Sequence, residues 1–395
     1  MSDQQRIRTS FHCTIKALTP LHVGSGEVLK RGFDFLADKS EIRMISHVRL
    51  FHYLNEIGFQ NIEPFIQAIE EKRPLDWLKE KGFFLDDMEG QLRMYWPDKP
   101  DKIRAQIRDG VGNPIVPGSS LKGALRTAIL KRLSDEDGKK TVNATISRIK
   151  NKPKPLEEHE QKEADNDICD TFLGNDPTNS LMRTLSIGDF SFSQADVSLQ
   201  KVEVSREVSN NTMKLKPKPR SDQPMQITVE KIKENSSSQG RISFDKFLYA
   251  RDEKTDKFCL GFKAEINREW LISAIRELTN DFIGGELQYL SDKKGTHISG
   301  LLAFYRDLQQ KSAGLGADEA FLNLGWGIGW RGTTGELVDN NDLSADNHKL
   351  RKNLKLATNH LDFPFPKSRR IAISGKTIQP MGWVRLAFSP VAKEG

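Results

Sequence analysis

The chain has 395 residues, of which 37% are hydrophobic and 29% charged, and its formal net charge is +6. That length suits two domains or one elaborated one, with considerable polar surface. No apolar run reaches membrane-spanning length and residues 1–6 carry no signal-peptide pattern, so a cytoplasmic protein without a membrane partner is expected. Cys13, Cys169 and Cys259 are scattered, odd in number and never paired as CxxC, which argues against a disulfide framework or a zinc site. They are expected to be small buried apolar residues. The charge excess permits a polyanionic partner without requiring one, so where the cations sit matters more than their number.

In chain order, residues 8–18 alternate Phe11, Cys13, Ile15 and Ala17 as a strand does. A glycine-rich loop, Gly24-Ser25-Gly26, closes it. Further strands are expected at residues 32–36 and 42–45, and helices at 48–57 and 63–71. Ile115-Val116 leads into the sequence PGSSLKGALRTAIL, residues 117–130. Here Ser119 or Ser120 can cap a helix whose Leu121, Ala124, Leu125, Ala128 and Ile129 share one face. Lys122 and Arg126, four apart, stand together at its margin. A helix N-terminus with two hydroxyls and two aligned cations suits a phosphate, while solvated cations on an ordinary helix are the plainer account.

Residues 134–170 are charged and Pro-containing and predict a solvated insertion. Order returns at residues 172–173, and 185–190 read as a strand. Strands at residues 201–208 and 225–233 flank residues 210–223, where Lys214, Lys216, Lys218 and Arg220 alternate with Pro217 and Pro219. That pattern predicts an exposed, extended basic tip on a protruding β-hairpin, with no ladder through the prolines. A strand is expected at 258–262, a helix over 267–282 ended by Gly284-Gly285, and a last strand over 383–388. Three stretches follow: 1–195, carrying the charged insertion, 196–260, the basic extension, and 261–395. The whole is α+β.

Near the C-terminus stands LGWGIGWRG, residues 324–332. Gly327, Gly329 and Gly332 fit GxGxxG, yet no helical period follows and Trp330 and Arg331 crowd the turn, so a dinucleotide loop is rejected. Gly325, Gly327 and Gly329 allow close backbone approach to a phosphate, Arg331 adds charge, and Trp326 or Trp330 could stack on a base. The plainer account places both tryptophans in the core.

LTPLHVGSGE (residues 18–27), PGSSLKGALRTAIL and LGWGIGWRG, in that order, resemble the RAMP superfamily of CRISPR proteins, and within it the subunit type that caps the crRNA 3′ end of type III-A (Csm) effector complexes. The resemblance implies two ferredoxin-like (RRM-like) units and a non-catalytic crRNA-binding subunit that supports crRNA maturation and antiviral defence. The partners it implies are crRNA, target RNA, neighbouring RAMP backbone subunits, small helical subunits and a host ribonuclease trimming the 3′ end. RNA contacts are then expected at His22, Gly24, Ser25, Gly26, Ser119, Ser120, Lys122, Arg126, Lys214, Lys216, Lys218, Arg220, Gly325, Gly327, Gly329 and Arg331.

The alternatives are a RAMP endoribonuclease or a repeated backbone subunit of such a complex. Relatives that cut RNA use a histidine base or a loop aspartate, which makes His22 and Asp34 the outside catalytic candidates. A lone histidine beside a glycine turn is more often structural, and GFDFLAD around Asp34 alternates like a strand. His12 sits on the first strand, and His47 and His52 lie five apart, off a shared helix face. No cofactor or metal is expected.

Overall fold

The computed structural model describes residues 8–391 apart from 39–40, 72, 83–92, 97–98, 210, 221, 253, 256 and 345–346. Its core is a five-stranded antiparallel sheet, ordered β14 (Glu319–Asn323), β17 (Trp383–Pro390), β1 (Arg8–Ala17), β13 (Ser237–Asp245) and β8 (Leu185–Ile187). The alternation read in β1 is real: Cys13, Ile15 and Ala17 are wholly buried. They face a layer formed by α4 (Gly118–Glu136) and α8 (Arg268–Leu290).

A seven-stranded sheet runs β16 (Thr377–Pro380), β15 (Ser368–Ser374), β10 (Val197–Ser209), β12 (Gln226–Ile232), β6 (Lys102–Gln106) and β2 (Gly24–Lys30), with β11 (Thr212–Leu215) on β10. All pairs are antiparallel except β12 with β6. Both sheets draw strands from residues 1–195, 196–260 and 261–395 alike.

One face of the second sheet is covered twice. The hairpin of α8 and α9 (Ile298–Ala313) packs on Ile371. A small sheet of β3 (Phe35–Asp38), β4 (Glu41–Met44) and β5 (Arg93–Tyr95) packs Phe35 and Ile42 on Ile103, Val197 and Leu199. That small sheet carries a helical lobe, α1 (His47–Glu56), α2 (Ile62–Glu70) and α3 (Pro74–Glu80). β7 (Ile115–Val116) pairs with β9 (Phe190–Ser191) beside the start of α4.

Several expectations need correction. Residues 134–170 are no solvated insertion: α4 ends there, then α5 (Lys140–Asn151), α6 (Glu158–Lys162) and α7 (Asn166–Leu173) follow. Val142, Ile146 and Ile149 of α5 and Ile168 of α7 join the main core. Few apolar residues suffice when they recur at helical spacing, and against α10 (His348–Asn353) and α4 they are buried. These helices also cover a second side of α4, which is buried well beyond the single face expected.

Neither Ser119 nor Ser120 caps α4. The cap position is Pro117, and the Gly118 N–H donates to Asp189 Oδ1 at 2.7 Å. A Cβ at Gly118 would meet the Ile187 carbonyl at 2.2 Å, so the glycine lets the helix start against the strand.

Gly24-Ser25-Gly26 is not a free loop either. It opens the exposed strand β2, whose pairing with β6 shifts register between Gly24 and Val28. Glycine at φ +94° (Gly26) accommodates that irregular edge.

Residues 258–262 form no strand. Phe258 and Phe262 stack around Tyr249 instead. Gly284-Gly285 does not end α8, because the helix continues to Leu290 with Ile283, Glu286 and Leu290 buried. That packing outweighs a cost of about 1 kcal/mol per helical glycine. Cys259, expected to be buried, is exposed.

The basic stretch does build a ladder. Lys216 N–H donates to Val204 O (2.7 Å) and Lys218 N–H to Gln223 O (2.8 Å), while Pro217 and Pro224 sit opposite each other. Proline at alternate positions leaves intact the alternate N–H groups that face the neighbouring strand. The four cations there are exposed, as expected; residues 210 and 221 lie outside the described residues.

Candidate nucleic-acid interface

The structure brings the first and last glycine stretches together. The Trp326 N–H donates to the His22 carbonyl at 2.7 Å. Gly325 has φ +88°, and a Cβ there would stand 2.6 Å from that carbonyl oxygen. No residue with a side chain fits that approach. The His22 ring is 1% exposed, and its Nδ1 lies 2.7 Å from the Glu230 carbonyl, so Nδ1 carries the proton and donates. Burial pushes the imidazole down to about 4, opposed by that hydrogen bond and aided by the Arg104 charge. A neutral, enclosed imidazole is neither an RNA ligand nor an accessible general base. His22 joins two loops, and its candidacy as an RNA contact or catalyst is corrected.

Trp326 is half-buried, not a core residue. It stands edge-on to His22, with ring centroids 5.8 Å apart. Two guanidinium groups lie over it, Arg370 at 4.6 Å and Arg104 at 5.4 Å from the ring centre. Both arginines are exposed, and among the described residues neither has a carboxylate partner. Partial burial and then the Arg104 charge hold Arg370 below the ordinary arginine range, so the two cations feel each other.

Strand register explains why they meet. Val204 lies opposite Arg370, Val202 opposite Ala372 and Ile227, and Val229 beside Arg104. Paired residues project to the same face, so Arg104, Val229, Ile227, Val202, Val204 and Arg370 share one face of the seven-stranded sheet. Val202, Val229 and Ala372 are covered by Met381 and Trp326. Lys214 lies opposite Arg206 on the same face. The strands β6, β10, β11, β12, β15 and β16 contribute no carboxylate to that face, and Glu234, just past β12, meets Lys231 and Gln379 at its far side.

The glycine loop and this face enclose a cleft of about 850 Å³, lined by Lys216, Trp326, Gly327, Gly329, Arg331 and Arg370 among others. Gly327 and Gly329 take φ +103° and +75° there, and a Cβ at Gly329 would meet nothing within 4 Å. Two short 3₁₀ turns follow the loop, not the helix of a dinucleotide site. Arg331 reaches the cleft but is turned inward: only 14% exposed, it pairs with Glu336 at 3.3 Å and with Asn340. Its charge fastens the loop, which corrects the expectation of a free phosphate ligand. Burial lifts Glu336 to about 7, with Arg331 opposing. Trp330 is likewise half-buried, packing on Phe365 and against the main core without being one of its buried residues.

The other candidates lie elsewhere. Lys122 and Arg126 line a separate cleft of about 460 Å³ with Arg183, and Arg126 Nη2 donates to Cys169 Sγ at 2.7 Å. Gly24, Ser25 and Gly26 are on the exposed edge strand. Asp34 is in a turn and not on the expected strand, since β3 begins at Phe35. Its Oδ2 accepts from the Lys30 N–H at 2.7 Å. Arg104 and Arg370, the cations that frame Trp326, were missed. Neither belongs to a motif; strand alternation was the only signal available.

The architecture is α+β, and the turn at His22 meets the C-terminal glycine loop within it. The RAMP superfamily model matches residues 14–331, and the chain belongs to that superfamily. Among solved structures, it matches a chain of a type III-A Csm–crRNA–target RNA ternary complex, seen by cryo-EM, with TM-score 0.70 and 22% identity over 96% of this chain and 100% of that one. It also matches the crystal structure of T. onnurineus Csm5, with TM-score 0.59 and 21% identity over 94% and 99% of the two chains. No curated protein matches.

Proposed function

We propose that this chain is a non-catalytic crRNA-binding subunit of a type III-A effector ribonucleoprotein, capping the backbone near the crRNA 3′ end. Superfamily membership and the full-length likeness to Csm5 and to a Csm complex chain support the class. The observation that carries the binding role is the half-buried Trp326 with two arginines over its ring, neither with a carboxylate partner among the described residues, beside Gly329, where a Cβ would meet nothing within 4 Å. Such a cleft grips sugar and phosphate and reads no sequence, as a subunit holding guides of differing sequence must do. Lys122, Arg126 and Arg183 offer a second contact for the same RNA. Target RNA, neighbouring RAMP and small helical subunits, and a trimming host ribonuclease are the further partners this reading names, in the cytoplasm. The absence of catalysis is argued from occupation: His22 is enclosed and Asp34 holds a turn.

Incubating the purified protein with end-labelled RNA, with and without Mg²⁺, should retain the strand intact. Robust cleavage that disappears in Asp34→Ala or His22→Ala would reverse the reading in favour of a ribonuclease.

A further inference from the structure

Beyond the Trp326 cleft, cations gather where β10, β11 and the segment before β15 meet. Lys214 and Ser368 both lie opposite Arg206 in the strand register. Lys367 Nζ stands 4.1 Å over the Phe363 ring. Arg351, wholly buried, donates to the carbonyls of His360 (2.9 Å), Leu361 (3.3 Å) and Phe363 (2.5 Å), and lies 5.8 Å from the Phe365 ring centre.

Among the described residues none of these four cations has a carboxylate partner. The Nε atoms of Arg206 and Arg351 are both buried without an acceptor. The neighbouring carboxylate, Glu207, is engaged by Lys293 at 3.1 Å and by Tyr289 and the Asn211 N–H, on the other face of β10. Burial, then the charges of Arg206 and Arg351 against that of Glu207, hold Lys367 below the usual lysine range. Like charges brought together and partly desolvated destabilise one another unless an anion is shared between them.

We propose that Arg206, Lys214 and Lys367, backed by the buried Arg351, form a dianion site that takes the terminal phosphate of an RNA strand lying in the cleft. Charge matching favours a phosphomonoester. Arg104 and Arg370 flank an aromatic ring and suit successive phosphodiesters, whereas Arg206, with Lys214 opposite it in the register and Lys367 within range of its charge, suits a doubly charged group offering several acceptor oxygens. That the ligand is RNA rests on the proposed function; that it is a phosphate rests on the cluster alone.

The two parts are tested together on the full chain. One oligoribonucleotide is titrated with a hydroxyl at both ends, with a 3′-phosphate, and with a 5′-phosphate. One phosphorylated form should bind about tenfold tighter than the hydroxyl form, the factor that one charge-assisted hydrogen bond supplies. That preference should vanish in Arg206→Gln/Lys367→Gln and shrink in Lys214→Ala, whose exposed side chain can be removed without disturbing the fold. Equal affinity of all three strands for the wild type would overturn the proposal.

In parallel, inorganic phosphate at constant ionic strength should raise the melting temperature of the wild type and not of the double variant. Equal protection of both, or of neither, would also overturn it. Protection of the wild type alone, with no strand bound in any form, would leave the anion site standing and reject RNA as its ligand.

Discussion

Replacing Arg104 and Arg370 together by Ala is expected to lower RNA affinity by about a hundredfold, as losing two charge-assisted contacts implies. The plot of log affinity against log salt should flatten by a slope of about 1–2. Folding stability should change little. Each arginine contributes no more than about 1 kcal/mol by lying over Trp326 at an exposed site, and its removal relieves repulsion from the other. The loss should be similar for RNAs of unrelated sequence, because phosphates carry no sequence information. Salt-series titrations of both proteins measure all of this. Unchanged affinity and slope would return the two arginines to ordinary solvated charges.

The glycines of the C-terminal loop should divide into two kinds. At Gly325 an added Cβ meets the His22 carbonyl at 2.6 Å and the backbone is left-handed, so Gly325→Ala should cost more than about 3 kcal/mol of stability. At Gly329 the space is open and only the backbone conformation, φ +75°, is penalised, by about 1–2 kcal/mol. Gly329→Ala should therefore fold and yet lose more RNA affinity than its stability cost explains, since the new methyl stands where the strand approaches. Urea unfolding and RNA titration of the same two proteins separate the cases. A Gly329→Ala protein that binds RNA as tightly as the wild type would reduce the loop to a turn.

Much of this was legible in the chain. The period-2 pattern of β1, the helices α1 and α2, and the helix following Ile115-Val116 follow from local spacing. What was not legible depends on partners distant in sequence. Residues 134–170 looked solvated because their charges outnumber Val142, Ile146, Ile149 and Ile168, whose burial depends on α4 and α10. Two glycines looked like a helix end at 284–285 because tertiary packing at Ile283 and Leu290 is invisible locally.

The same holds at the site. His22 and Gly325 were singled out separately, but their 2.7 Å link through the Trp326 N–H belongs to the fold. Arg104 and Arg370 lie 266 positions apart, and only the registers of β6, β10, β12 and β15 place both over one tryptophan. Arg331 drew attention through its motif, yet it was the buried Glu336, five residues on, that decided where its charge went.

The central claim is that RNA lies across the face of the seven-stranded sheet that bears Arg104 and Arg370, under the glycine loop. Ultraviolet crosslinking of the RNA-bound protein, with the modified peptides mapped by mass spectrometry, tests it most directly. Crosslinks should fall on Trp326, on peptides carrying Lys216 and Arg370, and within residues 325–329. Crosslinks confined to the cleft of Lys122, Arg126 and Arg183, with none on the sheet face or the loop, would contradict it.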